Sequence, residues 1–281
     1  MKYYKEFTIT SEPFNPEILS GVLWELNIAG INEEVNCLKV FCDGNGEIDP
    51  EKISSLLQKL KDEKMLFSFN VEENIIEDKN WNAEWEKSVN VTEVSDRIII
   101  KPTFRNYTAK AGQIVISIDP KMSFGTGEHQ TTKLVLRFIE KYIRKGMKVL
   151  DVGSGTAVLA ITAVKLGARC AAAVDNDEWC YKNGKENCEL NGVENKIDVK
   201  LGVIQDVSEK DFDLITANIQ KNVLIDIASE LKDRLSRNGI LILSGLLASD
   251  EDEIKNEYEK LGLNMIDKEQ MGEWISVVLN K

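Results

Sequence analysis

The chain has 281 residues, 43% of them hydrophobic, and 47 acidic against 35 basic side chains give it a formal charge of −12. That length and apolar content support two domains or one large one, and no run of about 18 apolar residues offers a membrane span. Five cysteines (37, 42, 170, 180 and 188) without C-x-x-C spacing fit buried, reduced thiols better than disulfides or zinc, and a single histidine, His129, argues against a histidine-based metal site.

Residues 2–9 alternate as a strand, and Pro13 and Pro16 punctuate the entry to a helix striped by Ile18, Val22, Leu23 and Leu26. Gly30 stops that helix, and strand-like stretches follow at 31–35 and 38–42. Ile53, Leu56, Leu57 and Leu60 mark a second amphipathic helix, and residues 66–76 alternate again. The order βαββαβ predicts a small α+β domain of ferredoxin-like type over residues 1–78. It holds no nucleophile, glycine loop or ligand cluster, so its expected role is docking.

Residues 1–95 carry nine lysines, no arginine and 19 acidic residues, a net −10, leaving only −2 for the rest. Phosphates would be repelled, so direct nucleic-acid binding by the front third is disfavoured, and on charge alone the acidity suits a basic partner and a surface kept soluble by carboxylates equally well. The stretch NWNAEWEKS, residues 80–88, predicts a linker helix with Trp81 and Trp85 on one face, and residues 79–95 are assigned to the linker. The N-terminal residues MKYYKEFTIT lack an apolar signal core, and a soluble, cytoplasmic protein without membrane association is expected.

A second domain over 96–281 is introduced by strands at 97–101 and 113–118. The segment from Asp119 to Thr132 then places Phe124-Gly125-Thr126-Gly127 ahead of a helix that starts near Thr131 and Thr132. Hydroxyls there either cap the helix or reach a ligand, and the glycines in front favour a ligand lid. Downstream, Val149, Leu150 and Val152 read as a buried parallel strand that ends in the turn Gly153-Ser154-Gly155. Glycines here let the backbone approach a ligand closely. The next strand ends in Asp175, 22 residues past Gly153, where a carboxylate can accept both hydroxyls of an adenosine ribose.

This turn has Ala157 where a dinucleotide site usually has a third glycine, and it lacks the Gly-Lys-Ser/Thr end of a P-loop. A nucleoside without phosphates fits better, which points to S-adenosylmethionine. A dinucleotide-dependent oxidoreductase is the competing assignment. Strands and helices then alternate, with one helix expected over 221–235 and a strand over 239–244. The last two strands, 263–268 and 274–279, are too close for a crossover and form an antiparallel pair. The fold class is therefore α/β, a doubly wound seven-stranded class I methyltransferase sheet with an antiparallel C-terminal strand pair. Asn218 lies just past a strand at its ligand-binding edge.

Together these residues resemble the PrmA family, which methylates large-subunit ribosomal protein eleven with S-adenosylmethionine. The likeness covers essentially the whole chain, and FGTGEHQTT, Phe124 to Thr132, is its most specific motif. Through the family, donor-binding positions fall on Thr132, Gly153, Asp175 and Asn218, with Gly155, Phe124, Gly125 and Thr126 beside them. The acceptors implied are lysine or N-terminal amines of a basic ribosomal protein. Asn218 is the expected orienter of the amine, and His129 is the one candidate base.

Overall fold

A computed structural model describes residues 3–24, 26, 28–43, 46, 48–77, 90–119, 125 and 127–281. The predicted linker helix with Trp81 and Trp85, and Phe124 and Thr126 of the glycine loop, lie outside these residues. The chain divides into two compact units, Met1–Ser88 and Val89–Lys281.

In the first unit β1 (Tyr3–Glu12), β2 (Gly30–Glu34), β3 (Cys37–Asp43) and β4 (Ser68–Glu77) form an antiparallel sheet in the order β2-β3-β1-β4. The helices are α1 (Pro16–Leu23) and α2 (Pro50–Asp62). Each starts with proline at its first position behind a side-chain cap, Asn15 accepting from the Ile18 amide and Asp49 from the Lys52 amide. Their apolar stripes, with Leu19, Leu23, Ile53 and Leu57, bury against Phe7, Ile9, Leu38 and Val40 of the sheet. The burial of β3 alternates residue by residue, as a sheet with one covered face requires.

The second unit opens with a small sheet of β5 (Thr92–Glu93), β6 (Ile98–Lys101) and β7 (Ile114–Ser117). Thr92 and Glu93 pair antiparallel with Ile100 and Ile99 of β6. The large sheet has seven strands. They are β8 (Lys148–Val152), β9 (Cys170–Asp175), β10 (Ile197–Leu201), β11 (Phe212–Asn218), β12 (Leu235–Leu247), β13 (Asn264–Met271) and β14 (Trp274–Asn280). Their order is β10-β9-β8-β11-β12-β14-β13, parallel except that β14 is antiparallel to both neighbours. The helices are α3 (Gln130–Tyr142), α4 (Val158–Lys165), α5 (Glu178–Leu190), α6 (Lys221–Asp226), α7 (Ala228–Arg234) and α8 (Glu251–Lys260).

Both faces of the sheet are covered, so β8 sends Val149 into the core with Phe138 and Ile161 and Leu150 into the core with Leu224, Leu231 and Tyr258. That double burial explains why the central strands are almost wholly apolar. The single helix expected over 221–235 is two, broken at Ile227, whose backbone (φ −100°, ψ 11°) leaves the helical region. Strand β12 starts four residues earlier than expected and carries a register shift between Leu243 and Leu246.

Candidate functional site

The glycine turn follows β8 directly. The Gly153 and Ser154 amides both donate to the Val174 carbonyl, at 2.9 and 3.2 Å, which ties the turn to the end of β9. Gly153 and Gly155 have φ of +69° and +53°, and a Cβ on Gly153 would lie 2.3 Å from Ile219 Cγ2. Ala157 also has positive φ, +62°, and is fully buried, so an alanine occupies a left-handed backbone position that glycine takes at less cost. Asp175 closes the turn. Its Oδ2 accepts from the Gly155 amide at 2.8 Å and its Oδ1 from the Asp177 amide at 3.0 Å. A carboxylate has about four lone-pair positions, so each oxygen retains one for a ligand.

Asp151, on the strand before the turn, is fully buried, and burial pushes its carboxyl up to about 7. Thr216 Oγ1 donates to it at 2.9 Å and the Ala160 amide at 3.3 Å.

At the carboxyl edge the turn opens on a cavity of about 730 Å³. Gly153, Gly155, Asp175, Asn218 and His129 all line it, together with Thr131, Ile219, Gly245 and Trp274. Asn218 ends β11, and its Oδ1 is buried without a hydrogen-bond partner among the described residues. Gly245, on β12, has φ +82°, and a Cβ there would meet the Ile219 carbonyl oxygen at 2.3 Å. Only glycine lets those two backbones cross so closely.

His129 caps α3, its Nδ1 accepting from the Thr131 amide at 3.3 Å with Thr131 Oγ1 at 2.7 Å. Its ring meets Trp274 edge to face at 5.2 Å between centroids. Thr131 lines the cavity, whereas Thr132 is buried beside it with its hydroxyl unpaired among the described residues. Gly125 is buried, and its carbonyl accepts from Thr156 Oγ1 at 2.7 Å.

Trp274, Asp151 and Gly245 escaped the sequence analysis. Trp274 and Gly245 reach the cavity only through the sheet order, which places β12 and β14 beside β11. Asp151 did carry a signal, an acid inside an otherwise apolar strand two residues before the glycine turn.

A 3-2-1-4-5-7-6 sheet with its seventh strand reversed, and a nucleoside-sized cleft at the turn after its first strand, define a class I S-adenosylmethionine-dependent methyltransferase. The model of the family "Ribosomal protein L11 methyltransferase (PrmA)" matches residues 26–281, and the chain belongs to that family. It is 37% identical over 248 residues to the ribosomal protein L11 methyltransferase of Acetivibrio thermocellus, covering 86% of this chain and 78% of that one. The same protein of Ruminiclostridium cellulolyticum is 35% identical over 280 residues, with 97% and 87% covered. A crystal structure of ribosomal protein L11 methylase from Lactobacillus delbrueckii subsp. bulgaricus superposes with a TM-score of 0.63 at 33% identity, over 67% of this chain and 97% of that one.

The cofactor is S-adenosyl-L-methionine, and the residues present fit it. A cradle that a Cβ would fill, a strand-end carboxylate with free lone pairs and an unpaired buried amide oxygen meet in one cavity.

Proposed function

We propose that this chain methylates lysine and N-terminal amines of the large-subunit ribosomal protein L11, in the cytoplasm where that protein is made. The observation that carries this reading is that one cavity is lined by Gly153, Gly155 and Asp175 together with Asn218, Ile219 and Trp274. Asp175 and the glycine turn hold the ribose of the cofactor, and the buried Thr132 hydroxyl supports the same end. Bound there, the cofactor supplies an electrophilic methyl group on a sulfonium.

Asn218 orients the acceptor. Its unpaired Oδ1 takes a hydrogen from the amine and turns the nitrogen lone pair toward the methyl group. An amide does not titrate in this range, so Asn218 orients without keeping a proton. A lysine amine titrates near ~10.4 in water and must arrive neutral. Asp175 is the one carboxylate lining the cavity among the described residues, and it is turned to the Gly155 and Asp177 amides. No other described residue lining the cavity offers a carboxylate to hold the ammonium form, and the Ile219 and Trp274 walls disfavour that charge. His129 is assigned to positioning rather than to base catalysis. A neutral imidazole has one lone-pair nitrogen, and here it faces Thr131.

The first unit is assigned to docking, with its net −9 over residues 1–88 steering a basic ribosomal protein. The test measures methylation of purified ribosomal protein L11 by mass spectrometry across a salt series, with the full chain and with a chain lacking residues 1–88. Transfer should require S-adenosylmethionine and be indifferent to NAD. Salt should raise KM more than it lowers kcat, and the shortened chain should bind the cofactor while losing most transfer to the protein. Equal transfer by both chains would remove the docking role, and methylation of no amine would remove the reading itself.

A further inference from the structure

Helix α5 carries Asn183 and Asn187 and is capped at its C-terminus by Asn191, and all three asparagines, spaced four residues apart, lean on the same extended segment. Asn191 Nδ2 donates to the Ser117 carbonyl at 2.6 Å, and its Oδ1 accepts from the Ser117 amide at 3.0 Å. Asn187 Oδ1 accepts from the Asp119 amide at 3.0 Å, and Asn183 Nδ2 donates to the Asp119 carbonyl at 2.9 Å. Four helical residues rise about 6.0 Å and two extended residues about 6.6 Å, so the two periods match over this length. The helix thus serves as a false strand along the edge of β7.

The rungs are not equivalent. Asn191 holds Ser117, the last residue of β7, and its remaining bond runs to its own helix at the Asn187 carbonyl, 2.8 Å away. Asn187 instead reaches two parts of the site. Besides Asp119, its Nδ2 donates to the Thr156 carbonyl at 3.1 Å. Thr156 lies in the glycine turn, is fully buried, and donates its hydroxyl to the Gly125 carbonyl at 2.7 Å. Asp119 and Gly125 stand on either side of residues 120–124, which lead into the family's most specific segment. Both flanks are therefore fixed to the cofactor turn through one hydrogen-bonded chain, Asp119–Asn187–Thr156–Gly125. Asn187 is fully buried and Asn183 is 3% exposed, so neither bond is exchanged for water at no cost.

We propose that Asn187, braced by Asn183 at 3.3 Å, is a positioning residue for methyl transfer: it sets Asp119 and Gly125, on either side of residues 120–124, against the glycine turn. Its one bond to the turn is to the Thr156 carbonyl, and neither Asn187 nor Thr156 lines the cavity, so it acts on the rate of transfer more than on cofactor affinity. Asn191 is the purely structural rung and the internal control.

The inference rests on the methyltransferase reading above, and its test separates the two. Asn187→Leu, Asn183→Ala and Asn191→Ala are compared with the unaltered chain by kcat and KM for ribosomal protein L11, calorimetric affinity for S-adenosylmethionine, and thermal unfolding. Asn187→Leu should lose about tenfold or more in kcat, since a misplacement of an ångström costs up to about a hundredfold, with cofactor affinity within about threefold. Asn183→Ala should lose about threefold in kcat, while Asn191→Ala lowers the unfolding temperature and keeps kcat within about twofold. The proposal is overturned if kcat falls equally in the Asn187 and Asn191 variants, or if cofactor affinity falls as far as kcat. Should Asn187→Leu not fold, Asn183→Ala decides, and an unchanged kcat there overturns it. An unaltered chain that transfers no methyl group overturns the functional reading, and this proposal with it.

Discussion

The seven-stranded sheet has a cavity at each end, and the two are built on opposite plans. The one at the amino ends of β8 to β11, about 360 Å³, is rich in charge, lined by Lys148, Glu194, Lys196, Asp198 and Glu209. Lys148 Nζ donates to the Lys210 carbonyl at 2.8 Å and lies 4.3 Å from the centre of the Phe212 ring. Lys200 donates to Glu209 at 2.7 Å and holds that carboxyl below its usual range. The one at the carboxyl ends is poor in charge but has close-set glycines and a buried amide oxygen with nothing to accept. Charge lining a cleft is thus a poor guide to a ligand when the charges already serve one another. What marks the carboxyl-edge site is polar capacity left over and backbone that only glycine can follow.

The sharpest way to break this contrast is Asp175→Ala. Two hydrogen bonds to a charged acceptor contribute on the order of 3–6 kcal/mol, so calorimetric affinity for S-adenosylmethionine should fall by about a hundredfold or more. Unchanged affinity in the folded variant would move the ligand elsewhere.

Asp151→Asn tests the opposite case, a polar group near the same edge whose needs are already met. Its carboxyl titrates at about 7 in the folded chain against 3.8 without burial. The native state therefore keeps a proton that the unfolded chain has released, and this contribution to stability is lost as pH rises from about 4 to about 7. Asparagine has nothing to titrate. Denaturant unfolding near pH 4.5 and near pH 8 should show the variant gaining on the parent by about 3 kcal/mol. A difference independent of pH would mean that Asp151 is ionised in the fold.

The smallest effect is expected at the amino edge. Lys148→Met should leave cofactor affinity unchanged and alter stability by no more than about 1 kcal/mol, the cost typical of a largely exposed contact. A tenfold loss of affinity would erase the distinction between the two ends.

Much of this was open to reading in the chain itself, for identifiable reasons. The turn at 153–155 and the acid at 175 are local, a strand, a tight turn, a helix and a second strand within about 25 residues, and local periodicity reports them. Trp274 and Gly245 are non-local. They reach the cavity because β12 and β14 lie next to β11, which nothing near residue 274 announces. The break at Ile227 was equally silent, since neither glycine nor proline stands there. Three asparagines at a four-residue spacing were visible in the sequence, but their partners at 117 and 119 lie about 70 residues away.

The position of β14 bears on when the site comes into being. This strand lies inside the sheet, between β12 and β13, although it follows both in the chain. Translation is directional, and domains fold as their residues emerge. The cofactor cradle, complete once Ile219 and Gly245 are in place, can form while β12 still lacks its antiparallel neighbour and β13 has no partner at all. The aromatic wall arrives with Trp274, among the last strands delivered. A nascent chain therefore acquires its capacity to hold the methyl donor before it acquires the wall that shapes the acceptor end, and chains cut short before residue 274 are left able to bind without a finished place to transfer.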